Sequence, residues 1–386
     1  MRQIEFFDGS KPFKINNKIR LIELFAGYGS QSLALKYLGV PFERYKIAEW
    51  AIPSIQAYKD LHSEDNTDYS RALADTEIYD YLFRKQISAD YNKPMTYDQI
   101  KRLGSKKARK IYNNIIATHN LVSVTQITGK DLEIVDTDKF TYIMTYSFPC
   151  QDLSLAGKGK GMEKGSGTRS SMLWEVERLL SETVEKPRIL LMENVPDVIG
   201  TKNISHFAEW IKSLEELGYK NYWKVLNAAD FGIPQSRKRC FMVSILGDYV
   251  YEFPQTIPLD KRLKDLLQKN VPEKYYLPIK TLKMLIANNA KQAGKGNGFR
   301  FEPTAGEEIA HSVLTRNGQR PCDNYILSLA NGIPIKNKTK KGHILATDGD
   351  GIDISSRMEY HRGTVQKGKS QTLTTSCNVG VLEWTK

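Results

Sequence analysis

Apolar positions along this 386-residue chain fall into two spacings. Short runs rich in β-branched and aromatic residues predict strands at Ile19–Leu24, Tyr45–Ala48, Thr141–Tyr146, Ile189–Met192, Trp223–Asn227 and Cys240–Ile245. Between them, three- and four-residue spacing predicts helices at Ser32–Leu38, Trp174–Thr183 and Ser205–Leu217. Strand and helix alternating in this way argue for an α/β fold with a mostly parallel sheet flanked by helices. Such sheets bind ligands at the carboxyl ends of their strands, so the strand ends are where chemistry is expected.

Two stretches break the rhythm. Asp65–Thr128 is a charged stretch, helical over Asp98–Asn114, and reads as an insertion forming a solvated surface segment. After Ile245 the chain turns polar and rich in Lys, Asn and Gly, with short strand-like pieces. A domain boundary near Gly247 follows, dividing residues 1–246 from residues 247–386. The phrases Ser312–Thr315 and Gln371–Thr375 are alike but too short to establish a repeat.

With 40% hydrophobic residues the chain can bury a sizeable core. Lys and Arg number 56 against 44 Asp and Glu, and the net charge of +12 suits a polyanionic partner, nucleic acid first. Cys150, Cys240, Cys322 and Cys377 contain no Cys-x-x-Cys pair and the six histidines are scattered. Neither a disulfide framework nor a metal site is expected, and a reducing compartment fits. Met1 to Lys18 lacks the apolar core of a signal peptide and no apolar run approaches membrane-spanning length, so a soluble, cytoplasmic chain is expected.

Four strand ends carry reactive side chains. The first runs into Phe25-Ala26-Gly27-Tyr28-Gly29-Ser30, where glycines let the backbone approach a ligand at a helix start, or simply make a structural turn. Glu49 and Trp50 close the second: an acid able to accept from both ribose hydroxyls and an indole able to pack on adenine, or an ordinary strand-end charge and a core aromatic. No third glycine completes a dinucleotide fingerprint, which favours a single adenosine such as S-adenosylmethionine.

The third ends in Phe148-Pro149-Cys150-Gln151, a rigid turn presenting a thiol beside the Gly/Lys/Ser loop Gly157–Ser170. That loop, with Lys158, Lys160, Lys164 and Arg169, suits closure over a phosphate backbone or a plain linker. Glu193 ends the fourth, placed to donate a hydrogen bond or to act as a structural cap. Arg237 and Arg239, in Gln235-Ser236-Arg237-Lys238-Arg239, share one face of an extended segment, either aimed into a cleft or solvated.

Taken in order, these motifs resemble the DNA (cytosine-5)-methyltransferase family, bacterial or phage type, over Ile19 to about Ile245. The resemblance implies a Rossmann-like S-adenosylmethionine-dependent methyltransferase domain followed by a smaller, mixed target-recognition domain. It matches Phe25, Ala26, Gly27 and Gly29 to the cofactor loop, Glu49 and Trp50 to the ribose and adenine contacts, and Asp131 to the next cofactor-side acid. Pro149-Cys150-Gln151 matches the nucleophile motif, Glu193-Asn194-Val195 the cytosine-binding motif, and Gln235-x-Arg237-x-Arg239 the motif completing the target pocket. Double-stranded DNA is the implied partner, and Cys150 the implied attachment point for a flipped cytosine. The insertion and the phrase Gly165-Ser166-Gly167-Thr168-Arg169-Ser170 also look similar to methyltransferases that modify CG dinucleotides.

One departure stands out. The family's last two motifs, a Leu-Thr-Pro-Arg-Glu-like brace and a Gly-Asn-Ser-like segment, have no counterpart before Lys386. Roughly 60 to 80 residues of a complete domain are then unaccounted for. The expectation is a second polypeptide carrying them, or an incomplete and inactive chain that still binds DNA.

Overall fold

A computed structural model describes residues 11–151, 153, 161–268, 271–272, 275–293, 301–313, 323–326, 333–340, 343–346, 350–353, 364–368 and 379–381. The six predicted strands all form. They are β1 (Lys18–Leu24), β2 (Phe42–Ala48), β3 (Phe140–Tyr146), β4 (Ile189–Asn194), β5 (Tyr219–Asn227) and β6 (Lys238–Leu246), in one sheet ordered β2-β1-β3-β4-β6-β5. Pairs β1–β2, β1–β3 and β3–β4 are parallel, and β4–β6 is antiparallel. The helices are α1 (Ser30–Tyr37), α2 (Ile52–His62), α3 (Asp75–Arg84), α4 (Tyr97–Lys101), α5 (Ser105–Ala117), α6 (Leu173–Glu182), α7 (Ile204–Glu216) and α8 (Ile279–Ala293).

Central strands of a parallel sheet are covered on both faces, which is why β3 and the start of β4 read as largely apolar runs. Tyr142, Met144, Tyr146, Leu190 and Met192 pack with Val176, Leu179, Phe207, Trp210 and Leu214 from α6 and α7. Trp210 crosses Trp174 edge to face at 6.1 Å, and its indole N–H donates to the Tyr146 hydroxyl at 3.2 Å, so the buried polar tips are paired.

The insertion is not a solvated surface segment. Ile78, Leu82, Ile87, Met95, Ile100, Ala108, Ile111 and Ile115 form a second core with Ile55 of α2. Four-residue spacing at Ile78 and Leu82, and at Ile111 and Ile115, puts these side chains on one face of each helix, opposite the charges. The helix predicted over Asp98–Asn114 is two, because Gly104 takes a left-handed φ of +77° between α4 and α5. Backbone bonds fasten the insertion to the sheet edge: Leu121 N–H to the Ile47 carbonyl at 2.8 Å and Ser88 N–H to the Trp50 carbonyl at 2.8 Å. Leu82→Ala is therefore expected to cost about 2–5 kcal/mol in a urea unfolding titration. A surface segment would give a change within about 0.5 kcal/mol.

Two compact units divide the chain. One comprises Met1–Leu226 and Lys238–Gln255, the other Asn227–Arg237 and Thr256–Lys386. The break after Gln255, in place of Gly247, follows from Tyr249–Val250 pairing in parallel with Lys11–Pro12. Asn227–Arg237 joins the second unit because Gln235–Ser236 pairs with Ala310–His311 and Phe231 bridges Ile257. That unit contains α8, the antiparallel pair Ile333–Lys336 with His343–Ala346, and a three-stranded sheet of Gly351–Asp353 between Val365–Gln366 and Val379–Val381. The phrase Gln371–Thr375, the end of Ser312–Thr315, Cys322, Cys377, Lys158 and Lys160 lie outside the described residues. Among the described residues no helix is long and apolar enough to cross a membrane.

Candidate active site

Sheet register lines the reactive side chains along one edge. Leu24 lies opposite Ala48 and Tyr146, Tyr146 opposite Met192, and Asn194 opposite Cys240. Phe25, Glu49, Ser147 and Glu193 therefore leave the sheet within a residue or two of a common line, and antiparallel β6 brings Arg239 to it from the other direction.

On the β1–β2 side the backbone turns sharply, with left-handed φ at Phe25 (+55°), Gly27 (+56°) and Gly29 (+79°). At Gly29 a side chain would lie 2.4 Å from His62 Nε2 and 2.6 Å from the buried Tyr58 ring, so only glycine fits. Glu49, 6% exposed, accepts the Gly27 N–H at 2.9 Å on one carboxylate oxygen and the Ala51 N–H at 2.7 Å on the other. Burial pushes its pKa up to about 7, against the pull of the Ala51, Gly27 and Trp50 N–H groups. Trp50 leans on the insertion core.

Two supports of this loop escaped the sequence. Glu23, 1% exposed within β1, accepts from Ser32 Oγ at 2.6 Å, Ser32 N–H at 3.2 Å and the Tyr58 hydroxyl at 2.6 Å, anchoring the start of α1 to the sheet. The signal was present: a lone carboxylate in an apolar parallel strand must be buried and bonded. Asn120 clamps the Glu49 backbone, accepting its N–H at 3.0 Å and donating to its carbonyl at 2.9 Å, and nothing in the sequence marks it. Asp131 has a different setting: its carboxylate accepts from Thr128 N–H at 2.7 Å and Thr128 Oγ1 at 2.8 Å, closing a turn. Burial raises its pKa less than the Thr128 donors lower it.

The turn after β3 is fixed through its carbonyls. Asn194 Nδ2 donates to Phe148 O at 3.0 Å, and Ser170 Oγ donates to Pro149 O at 2.8 Å. Cys150 follows, half-buried against the main core. Beside it Glu193 accepts from Ser147 Oγ at 2.6 Å and pairs with Arg239 Nε at 2.9 Å, the two side chains 18% and 20% exposed. Arg237 falls in the second unit, where its N–H donates to Asn227 Oδ1 at 2.9 Å and its carbonyl accepts the Ala228 N–H at 3.0 Å.

The described half of the loop after Cys150 is tied down. Lys164 pairs with Glu177 and lies 4.9 Å over the Trp174 ring, Trp174 Nε1 donates to Met162 O at 2.8 Å, and Arg169 donates to Asn92 Oδ1 in the insertion at 2.8 Å.

Comparison with known proteins identifies the family. The profile of the C-5 cytosine-specific DNA methylase family matches residues 100–377. The orphan methyltransferase M.SssI of Spiroplasma monobiae is 39% identical over 69% of this chain and 69% of its own length. Type II methyltransferase M2.ScrFI of Lactococcus lactis subsp. cremoris is 40% identical over 67% of this chain and 70% of its own. Type II methyltransferase M.HhaI of Haemophilus parahaemolyticus is 30% identical over 62% and 71%. None of these matches supports the expected second polypeptide. A profile match spanning most of the chain, joined to relatives near 40% identity, makes this chain a member of the C-5 cytosine-specific DNA methylase family.

Proposed function

We propose that the chain methylates carbon 5 of a cytosine swung out of double-stranded DNA, with Cys150 forming a transient covalent adduct. The observation that carries this reading is the Glu193–Arg239 pair, held at 2.9 Å on the strand ends beside the Cys150 turn. The Cys150 thiolate attacks carbon 6 of the ring, forming a C–S bond and pushing electron density onto carbon 5, otherwise a poor nucleophile. Glu193, aimed by Ser147 and Arg239, takes up a proton when the base docks and as a carboxylic acid donates a hydrogen bond or that proton to ring nitrogen 3, so stabilising charge that develops during attack. Arg239, and by resemblance Arg237, are the candidates to hold the exocyclic oxygen through a guanidinium. Once carbon 5 carries the methyl group, a base, such as a solvent hydroxide, takes the carbon 5 proton, the C–H electron pair re-forms the C5–C6 double bond and Cys150 leaves as thiolate. Attack runs perpendicular to the base plane, so the base must leave the stack at a cost of a few kcal/mol that DNA contacts offset.

Enzymes of this family depend on S-adenosylmethionine, which supplies the methyl group when bound. The β1–β2 edge fits it: a left-handed loop at Phe25, Ala26, Gly27 and Gly29 leaves open space beside Gly27, and Glu49 keeps lone pairs for two ribose hydroxyls. Trp50 supplies an apolar face for adenine, and Pro149 and Asp131 flank the same edge in this reading. Because the Glu49 carboxyl lies above its ordinary 4.5, the folded protein takes up a proton as pH falls through about 7, and a protonated carboxyl accepts fewer hydroxyls. S-adenosylmethionine affinity should thus rise about tenfold from about pH 6 to about pH 8. Calorimetry across that range checks it, and Glu49→Gln should flatten the profile.

Residues 1–246 would hold the catalytic site and 247–386, with Asn227–Arg237, would read the target sequence, in a cytoplasmic restriction–modification or orphan enzyme. DNA carrying 5-fluorocytosine tests the reading, since fluorine cannot leave as the proton does and the adduct accumulates. A denaturant-resistant complex needing both cofactor and Cys150 is the expected result. No complex would identify an incomplete chain that binds DNA without turnover.

A further inference from the structure

The insertion carries a charge distribution that the catalytic reading does not use. From Gln99 to Lys130 the chain has no Asp or Glu. Within that stretch Lys101, Arg102, Lys106, Lys107 and Lys110 are all exposed on α4, the α4–α5 turn and α5. Among the described residues none of the five forms an ion pair. Arg109, between them, shows the contrast. It turns inward, donating to Asp75 at 2.6 Å and to the Ser70 and Leu73 carbonyls at 2.6 and 2.8 Å, and braces the fold.

Lys106 and Lys110, one turn apart on a helix, repel each other. Among the described residues no carboxylate pairs with either of them within ion-pair distance. Beside this face lies a polar cleft of about 350 Å³, lined by Lys59, Asn66, Thr67, Lys106, Lys110 and Asn113 among others. Its carboxylates are already occupied: Asp65 accepts from Thr67 N–H and the Tyr69 hydroxyl, and Asp68 from Ser70 and Asn113. Lys106 and Lys110, both exposed, are left to meet an anion such as a phosphate at the rim of this cleft.

The face is also rigidly mounted. The insertion has its own core, is bonded to the β2 edge at Ile47 and Trp50, and reaches the loop after Cys150 through Asn92 and Arg169. It cannot swing freely with respect to the active site.

We propose that α4 and α5 form a second DNA surface, binding phosphates of the duplex that flank the methylated site and lengthening the footprint of the enzyme. This inference rests on the function proposed above. Its partner is the phosphodiester backbone, read by charge without base contacts, so it adds affinity and salt dependence and not sequence preference.

The test uses the full chain and a fivefold variant, K101Q/R102Q/K106Q/K107Q/K110Q, with fluorescence anisotropy over a salt series. Duplexes of about 12 and about 30 base pairs, near one and three helical turns, carry the same central target. The variant should lose the affinity advantage of the longer duplex, and its log affinity against log salt on that duplex should be shallower by about 2 or more. Adduct formation on 5-fluorocytosine in the short duplex should not change. Identical slopes and affinities for both proteins would mean the face is merely solvated, and an equal loss on both duplexes would refute the flanking placement. Absence of adduct with the wild-type chain would overturn the Cys150 reading instead, leaving the slope comparison to judge this one.

Discussion

Cys150→Ser is expected to lower methyl transfer at least about a thousandfold while leaving the fold and S-adenosylmethionine binding in place. A serine hydroxyl is a far weaker nucleophile towards carbon 6 than a thiolate, because an alcohol ionises far less readily than a thiol. The loss would not come from a disturbed turn. Phe148 and Pro149 are held through their own carbonyls by Asn194 and Ser170, bonds that the substitution leaves in place. Thermal unfolding should therefore move by no more than a surface substitution does, within about 0.5 kcal/mol. The decisive measurement is the denaturant-resistant adduct with 5-fluorocytosine DNA: a complex formed by the serine variant at the wild-type rate would remove Cys150 from the mechanism.

What the sequence made legible was the set of features fixed by local pattern. Strands β1 to β6 are predicted by short apolar runs, and the strand-end rule then singles out Phe25, Glu49, Cys150, Glu193 and Arg239, while the register that lines up the strand ends is visible only in the fold. Long-range pairing was another matter. That Gln235–Ser236 pairs with Ala310–His311, drawing Arg237 into the second unit while Arg239 stays in the first, depends on a partner about 75 residues away that no local signal announces.

The insertion was misjudged for a related reason. Its core residues stand three and four apart among Lys106, Lys107, Arg109 and Lys110, so mean polarity concealed a clean apolar stripe. On the cofactor side motif order points to Asp131, and the fold adds Asn120, brought against Glu49 because residues 119–121 add to the sheet beside β2. A loop side chain that acts through backbone hydrogen bonds leaves no compositional trace.

The Glu193–Arg239 pair leads to the second large effect. Glu193→Gln should lower kcat by about 10²- to 10⁴-fold, the range of a lost acid or of a lost charge-stabilising contact in the transition state. Arg239→Ala should do similar damage, partly because it removes the 2.9 Å contact that aims the Glu193 carboxylate alongside Ser147. If the two residues act as a unit on the extruded ring, the double variant will be little worse than either single one, so the losses will not multiply. Independent roles, Glu193 on ring nitrogen 3 and Arg239 on a phosphate, would instead give multiplied losses. The double-mutant cycle, read in single-turnover methyl transfer with S-adenosylmethionine affinity measured alongside, separates the two. S-adenosylmethionine affinity should stay within about twofold throughout, because Glu49 and the Gly27 loop sit at the opposite end of the sheet edge, three strands from Arg239.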